Sequence, residues 1–295
     1  MIESIKLIKK SARQTYRFSL VIPTWNNLSY LKACIHSIRK YSALDLQIII
    51  VVNEGRDGTM EWLEKEPEID VVFSPENIGV CYALNICRSL VKSDYILYLN
   101  DDMYVLPGWD TELDQEIKRM GHKNFFLSGT VIEPLDTGND CVILGDYGRD
   151  PEHFDEPRLL KDLGGLKKAD WSGSTWPPNI MHIELWDLVG GLSIEFSPGM
   201  YSDPDLSMKL SLAGVRIFKG IGSCKVYHFG SKSTGRVKKN DGRKTFLMKW
   251  GLTPSDFLNG FLKRGQPYTG ELDFSSMRGN TSSKNKLKTL RELFK

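Results

Sequence analysis

The stretch YILYLNDD, residues 95–102, runs an apolar segment directly into two adjacent carboxylates, and its reading decides the fold. Tyr95 to Leu99 has the length and side chains of a buried strand, and it ends abruptly at Asn100-Asp101-Asp102. The same pattern repeats upstream. Phe18 to Pro23, Gln47 to Val52 and Ile69 to Phe73 are short apolar or β-branched runs. Between them, Leu28 to Tyr41 places Leu31, Cys34, Ile35 and Ile38 at helical spacing. Thr59 to Lys65 and Asn77 to Val91 also read as helices. Strand and helix in regular alternation predict a mostly parallel α/β sheet flanked by helices. Ligands of such a sheet sit beyond the carboxyl ends of its strands.

The second half is less regular. Phe125 to Ile132 reads as a strand, and Glu133 to Asp170 is polar with no clear period. Ile183 to Val189 is helical and stops at Gly190-Gly191. Asp203 to Ala213 is a helix with Pro204 at its first position, and Asp203 suits its N-cap. Val215 to Phe218 and Lys225 to His228 read as two short strands. Ser231 to Arg243 reads as a mobile loop, and Leu287 to Phe294 as a small amphipathic helix. The expected layout is an N-terminal segment (1–17), an α/β domain (18–230) and a basic C-terminal extension (231–295). The domain divides into a regular half (about 18–108) and a smaller, mixed half (about 109–230).

Composition narrows the class. With 41% hydrophobic and 26% charged residues the chain is an ordinary globular protein, and no apolar run approaches the ~18 residues of a membrane span. Met1 to Arg17 lacks the apolar core of a signal peptide. The five scattered cysteines show no metal-ligand spacing and read as reduced thiols. A cytoplasmic protein, peripheral to a membrane at most, is therefore expected. The net charge of +2 conceals an asymmetry: residues 231–295 hold 15 Lys/Arg against 5 Asp/Glu, and the rest holds 24 against 32. Such a tail suits an anionic surface, a diphosphate or nucleic acid, or is simply solvated.

Three strand ends carry candidate chemistry: Pro23-Thr24-Trp25-Asn26, Asn53-Glu54 and Asn100-Asp101-Asp102. The Gly-x-Gly-x-x-Gly turn of a dinucleotide-binding fold is absent after the first strand. A Gly-rich basic phosphate loop is missing there as well. Two adjacent carboxylates where a strand leaves a sheet repel one another and favour a divalent cation, Mn²⁺ or Mg²⁺ by their hard oxygen donors. A solvated Asp-Asp turn is the plain alternative. Trp171, Trp176, Trp186 and Trp250 could each stack on a sugar or pack in a core. His36, His122, His153 and His182 have no evident chemical partners.

The segments VIPTWNN (21–27), VVNEGRDGT (51–59), ENIGVCYALN (76–85) and YLNDDMYVLPGW (98–109) occur in order. They are followed by GGLSIEF (190–196), YSDPDLSMKLSLAG (201–214) and VYHFGSKS (226–233). Together they resemble the inverting glycosyltransferases of family 2, whose fold is called GT-A, over about Phe18 to Ser233. The resemblance implies that Pro23, Thr24, Trp25, Asn26, Asn53, Glu54, Asn77, Asn85 and Asp101 bind a nucleotide-sugar donor. Within that set Glu54 would read the uracil N–H. It also implies Asp102 and His228 as metal ligands and Asp203, rather than Asp205, as the catalytic base. This chain departs from the family's usual Asp at positions 53 and 54 and from its usual Glu at 202.

The expectation is thus an inverting transferase dependent on Mn²⁺ or Mg²⁺. It would use a UDP-linked donor and a saccharide or lipid-linked acceptor. Two alternatives stand beside it: a modified nucleic acid as acceptor, drawn by the basic tail, and a non-catalytic module that only binds nucleotide sugars.

Overall fold

A computed structural model of the chain describes residues 4–230, 236 and 240–278. The first half forms β2 (Phe18–Trp25), β3 (Leu46–Asn53), β4 (Ile69–Ser74) and β5 (Tyr95–Tyr98), paired in parallel in the order β4-β3-β2-β5. Alternate residues of β2 point to opposite faces: Val21 enters one core, and Leu20 and Ile22 enter the other. Both faces are apolar because both are covered, which explains the near-continuous hydrophobic runs. Helices α1 (Leu28–Tyr41) and α4 (Trp109–Met120) cover one face, and α3 (Gly79–Cys87) covers the other. A short α2 (Thr59–Glu64) joins β3 to β4.

Beyond β5 the sheet turns mixed. The antiparallel β10 (Asn179–His182) lies between β5 and β7 (Phe125–Glu133). Next comes β11 (Ile217–His228), parallel to β7, and then β6 (Met103–Val105), antiparallel to β11. The expected pair of strands at 215–218 and 225–228 is one strand. It is interrupted by an irregularity between Ile221 and Lys225, where Gly222 and Ser223 break the apolar pattern. The span from Glu133 to Asp170 holds only β8 (Ile143–Leu144) and α5 (Glu156–Asp162). Among the described residues the sheet has 11 strands, counting β1 (Lys6–Ile8) at the edge and β9 (Trp171–Ser172).

Neither end of the 18–230 domain is a physical boundary. Before it, β1 pairs with β4, and the buried Asp70 carboxylate accepts the Lys10 and Ser11 amides and the Ser11 hydroxyl. After it, α8 (Gly242–Trp250) follows α6 (Ile183–Val189) and α7 (Ser202–Leu212) into the same core as α3. Phe246, Phe257 and Leu262 are completely buried there. Each contributes ~1.5–3 kcal/mol, enough to hold the segment to the body despite its charge. The predicted loop Ser231–Arg243 is described only at 236 and 240–243, and its last two residues already belong to α8. The predicted helix Leu287–Phe294 lies outside the described residues.

Candidate active site

Strand register assembles the site. Trp25 aligns with Asn53 at the ends of β2 and β3. The chain leaving β5 donates the Leu99 amide to the Val21 carbonyl (3.2 Å), turns through Asn100-Asp101-Asp102 and enters β6. Since β6 pairs with β11, His228 lies opposite Met103, and the Phe229 amide donates to the Asp102 carbonyl (3.1 Å). Tyr227 of β11 aligns with Ile132 of β7, which sets Glu133 beside the same histidine.

The His228 imidazole therefore sits between two carboxylates. Its Nδ1 is 2.9 Å from Glu133 Oε1, and its Nε2 is 3.3 Å from Asp102 Oδ1. The second contact lacks hydrogen-bond alignment, so the buried Nε2 has no hydrogen-bond partner. Burial alone would lower the basicity of this ring, but Asp102 and Glu133 outweigh it and raise its pKa to about 10. A carboxylate on one nitrogen and an open second nitrogen facing a carboxylate is how metal-binding histidines are oriented. Among the described residues no group of three or more His, Cys, Asp or Glu could hold a metal. Asp102 and His228 thus form a two-donor set, suited to an ion that completes its shell with phosphate oxygens and water.

Asp101 is buried beside them, and burial together with the Asp102 charge raises its pKa. Around it are polar atoms with no aligned hydrogen-bond partner among the described residues, Thr24 Oγ1, Trp25 Nε1 and Asn27 Nδ2, although the Thr24 and Asn27 side chains are close enough to Asp101 to hold its pKa down. Buried donors are seldom left unpaired in a finished core, so this cluster is chemistry prepared for a ligand. Arg236 stacks its guanidinium 4.7 Å from the Trp25 ring centroid and donates to the Trp25 carbonyl (2.8 Å).

Asp203 lies in the first turn of α7, which begins at Ser202 after a left-handed Tyr201 (φ 68°). The N-cap expectation for Asp203 fails: it stands inside the helix, and no side chain caps this end. Its carboxylate accepts no hydrogen bond from the described residues. Burial deep in the cavity raises its pKa to about 7. Two clasps hold this region against α3. The Val80 amide donates to the Pro198 carbonyl (2.7 Å), an approach that a Cβ on Gly79 would block at 2.7 Å from Pro198 Cα. Asn85 exchanges two hydrogen bonds with the Leu192 backbone (2.7 and 2.8 Å).

One cavity of about 680 Å³ unites these groups. Of the predicted residues, Pro23, Thr24, Trp25, Asn53, Asn77, Asp101, Asp102, Asp203 and His228 line it. Asn26, Glu54 and Asn85 do not. Glu54 accepts Asn26 Nδ2 at 3.0 Å, and both residues take left-handed backbone conformations at the strand ends. Asn85 spends its amide on Leu192, so it braces the backbone instead of facing the cavity. Asn53 holds the Ile78 amide with its carbonyl (3.0 Å), and Asn77 closes a tight turn onto Gly79. Trp171 and Trp176 line the cavity, Trp186 is core, and Trp250 bonds Asp205. His153 and His182 make local hydrogen bonds to Asp150 and the Glu184 amide. Glu133, Arg236 and Arg264 were not anticipated. A carboxylate closing a predicted strand was the one available signal for Glu133.

Comparison with known proteins agrees with this layout. Residues 19–145 match the family described as Glycosyl transferase family 2. The chain is 30% identical over 93 residues to chondroitin synthase of Pasteurella multocida, covering 30% of this chain and 10% of that protein. It therefore spans about a tenth of that relative's length. Its fold is similar to that of GalNAc-T7, solved with UDP, GalNAc and Mn²⁺ (TM-score 0.57, 16% identity, 79% of this chain and 48% of that one). It is also similar to S. aureus TarS 1–349, solved with UDP-GlcNAc (TM-score 0.51, 15% identity, 73% and 61%). The architecture is a GT-A-like mixed α/β sheet flanked by helices. Among the described residues no helix is long and apolar enough to cross a bilayer.

Proposed function

We propose that this chain, similar to glycosyl transferase family 2 over residues 19–145, is an inverting glycosyltransferase. Its donor is a nucleotide-diphosphate sugar, UDP-linked, and its acceptor a saccharide or lipid-linked glycan. One observation carries the reading: Asp203, a carboxylate with no partner among the described residues, shares a cavity with the Asp102–His228 donor pair and the strand-end residues Thr24 and Trp25.

Thr24, Trp25 and Asp101, which line the cavity, hold the nucleoside at the ends of β2 and β5. Asp203, ionised, accepts the proton of the acceptor hydroxyl as that oxygen bonds the anomeric carbon. The bond from that carbon to the diphosphate breaks, and its electron pair leaves with the diphosphate. Asp102 and His228 would hold a Mn²⁺ or Mg²⁺ ion, which when bound would supply charge stabilisation for that leaving group. Glu133 keeps the His228 ring turned toward the site. A pKa near the working pH suits a base that must be both ionised and proton-hungry.

Thermal shift with UDP, CDP and GDP, each with Mn²⁺, tests the donor assignment. At ~100 times its dissociation constant a ligand adds about 2.7 kcal/mol, which is readily measured. UDP should give the largest shift, and Asp102→Ala should abolish the Mn²⁺-dependent part of it. No shift with any nucleotide, together with no hydrolysis of UDP-sugars, would end this reading. A larger response to GDP would move the donor to guanosine.

A further inference from the structure

Most arginines of the body have carboxylate partners: Arg17 with Asp114, Arg39 with Glu66 and Arg88 with Asp187. Arg264 differs. It lines the cavity, half-buried, with no ion pair or side-chain hydrogen bond to the described residues. Its guanidinium lies 5.0 Å from the ring centroid of Trp176, which lines the cavity too.

The backbone at this position is held on both sides. The Arg264 amide donates to the Leu258 carbonyl, and the Gly265 amide to the Ser172 carbonyl (both 3.0 Å). The Ser172 amide in turn donates to the Gln266 carbonyl (2.8 Å). Gly173, left-handed at φ 87°, permits the crossing, since a Cβ there would come within 2.7 Å of Arg264 Cα. The arginine is thus placed on a rigid wall.

A guanidinium stacked on an indole still presents its N–H edge, and that edge matches the paired oxygens of a carboxylate or phosphate. Partial burial without a counter-charge makes the match more favourable. Asp101, Asp102, Glu133 and Asp203 line the same cavity, and His228 is already held between two of them, so Arg264 is the place on its wall that favours an acceptor's negative group. We infer that Arg264 and Trp176 form an acceptor subsite selective for a saccharide bearing an anionic group, a carboxylate or a phosphate. The inference rests on the transferase reading for calling the ligand an acceptor. The anion selectivity itself rests on Arg264.

Three probes test it by ligand-observed NMR titration: methyl β-glucoside, methyl β-glucuronide and methyl β-glucoside 6-phosphate. Each is titrated into the full chain with and without UDP and Mn²⁺. Wild type should bind at least one anionic probe about tenfold or more tightly than the neutral one, and the tighter of the two identifies carboxylate or phosphate as the group. Arg264→Ala should bring the ratio to about one, and Arg264→Lys should keep part of it. UDP binding and Tm, measured on each variant, report whether the nucleotide site and fold are intact. Equal binding of all three probes by wild type overturns the inference, and so does an unchanged ratio in a folded Arg264→Ala. If UDP fails to bind while Arg264-dependent anion selectivity persists, the transferase reading falls and the anion site stands.

Discussion

Asp203 and Asp205 are two residues apart on the first turn of α7, yet their surroundings are opposite. Asp205 is completely buried and saturated: Ser193 Oγ donates at 2.6 Å, Trp250 Nε1 at 2.8 Å, and Lys249 Nζ is 2.9 Å away. Asp203 points into the cavity with no partner among the described residues. A carboxylate with three close partners is a structural joint, here tying α7 to α8. One that faces the cavity with no partner among the described residues is free to take a proton. Identical side chains a half-turn apart thus differ between holding the fold and, in the proposed reaction, accepting a proton.

The sharpest attack on this division is Asp203→Asn. It should lower turnover by roughly two to four orders of magnitude, the range of general-base catalysis, while UDP affinity stays near wild type and Tm does not fall. Transfer kinetics with parallel calorimetry decide it. A loss of folding in place of turnover would erase the contrast.

Asp205→Ala should do the reverse. It strands the Trp250 indole and the Ser193 hydroxyl, while Lys249 keeps Glu195, and two stranded donors together cost about 3 kcal/mol. At ~2–4 °C per kcal/mol for larger domains, Tm should fall by about 6–12 °C. The surviving folded fraction should retain wild-type turnover per active site. A Tm within a degree of wild type would show that Asp205 is no joint.

Glu133→Gln extends the comparison to the metal pair, where one carboxylate is proposed to ligate and another only to orient. Half-maximal Mn²⁺ for activity should rise about 10–100-fold without loss of maximal rate, the usual effect of an outer partner. A complete loss at saturating Mn²⁺ would make Glu133 a ligand itself.

The smallest effect concerns pH. With its folded pKa raised to about 7, Asp203 favours the folded state when protonated. That contribution is full below the ordinary carboxylate range and is lost as pH rises through about 7. Asp203→Asn mimics the protonated form, so its Tm should exceed wild type by a few degrees at pH 8.5, without metal, and match it near pH 4. An equal difference at both pH values would mean that Asp203 titrates normally.

How much of this was legible in the sequence follows the same line between local and distant causes. β2, β3, β4 and β5 announce themselves because each is apolar on both faces, and the rim residues follow directly from where those runs stop. Asp203 could be singled out, but its contrast with Asp205 could not, since Ser193, Lys249 and Trp250 come from other elements. That Asn85 and Glu54 do not line the cavity was not legible either, because a polar side chain that braces backbone or a neighbour looks the same in sequence as one that faces a ligand. The segment 240–278 was obscured by charge: its core phenylalanines are spaced among lysines and glycines, so the tail's net charge hid its packing. Glu133 required knowing that β7 and β11 are neighbours.

That pairing of β7 with β11 has a consequence for how the molecule comes to exist. The strands begin at residues 125 and 217, so their contact closes a loop of about ninety residues. Such closures slow folding and come after local structure has formed. A chain emerging from the ribosome can build the rim carrying Asp101 and Asp102 early, but β7 is left with an open edge and β6 without a partner until β11 arrives with His228. The nascent protein therefore spends its synthesis with an exposed strand edge, the kind that invites pairing with other chains. The strand that carries the proposed metal ligand His228 also covers that edge.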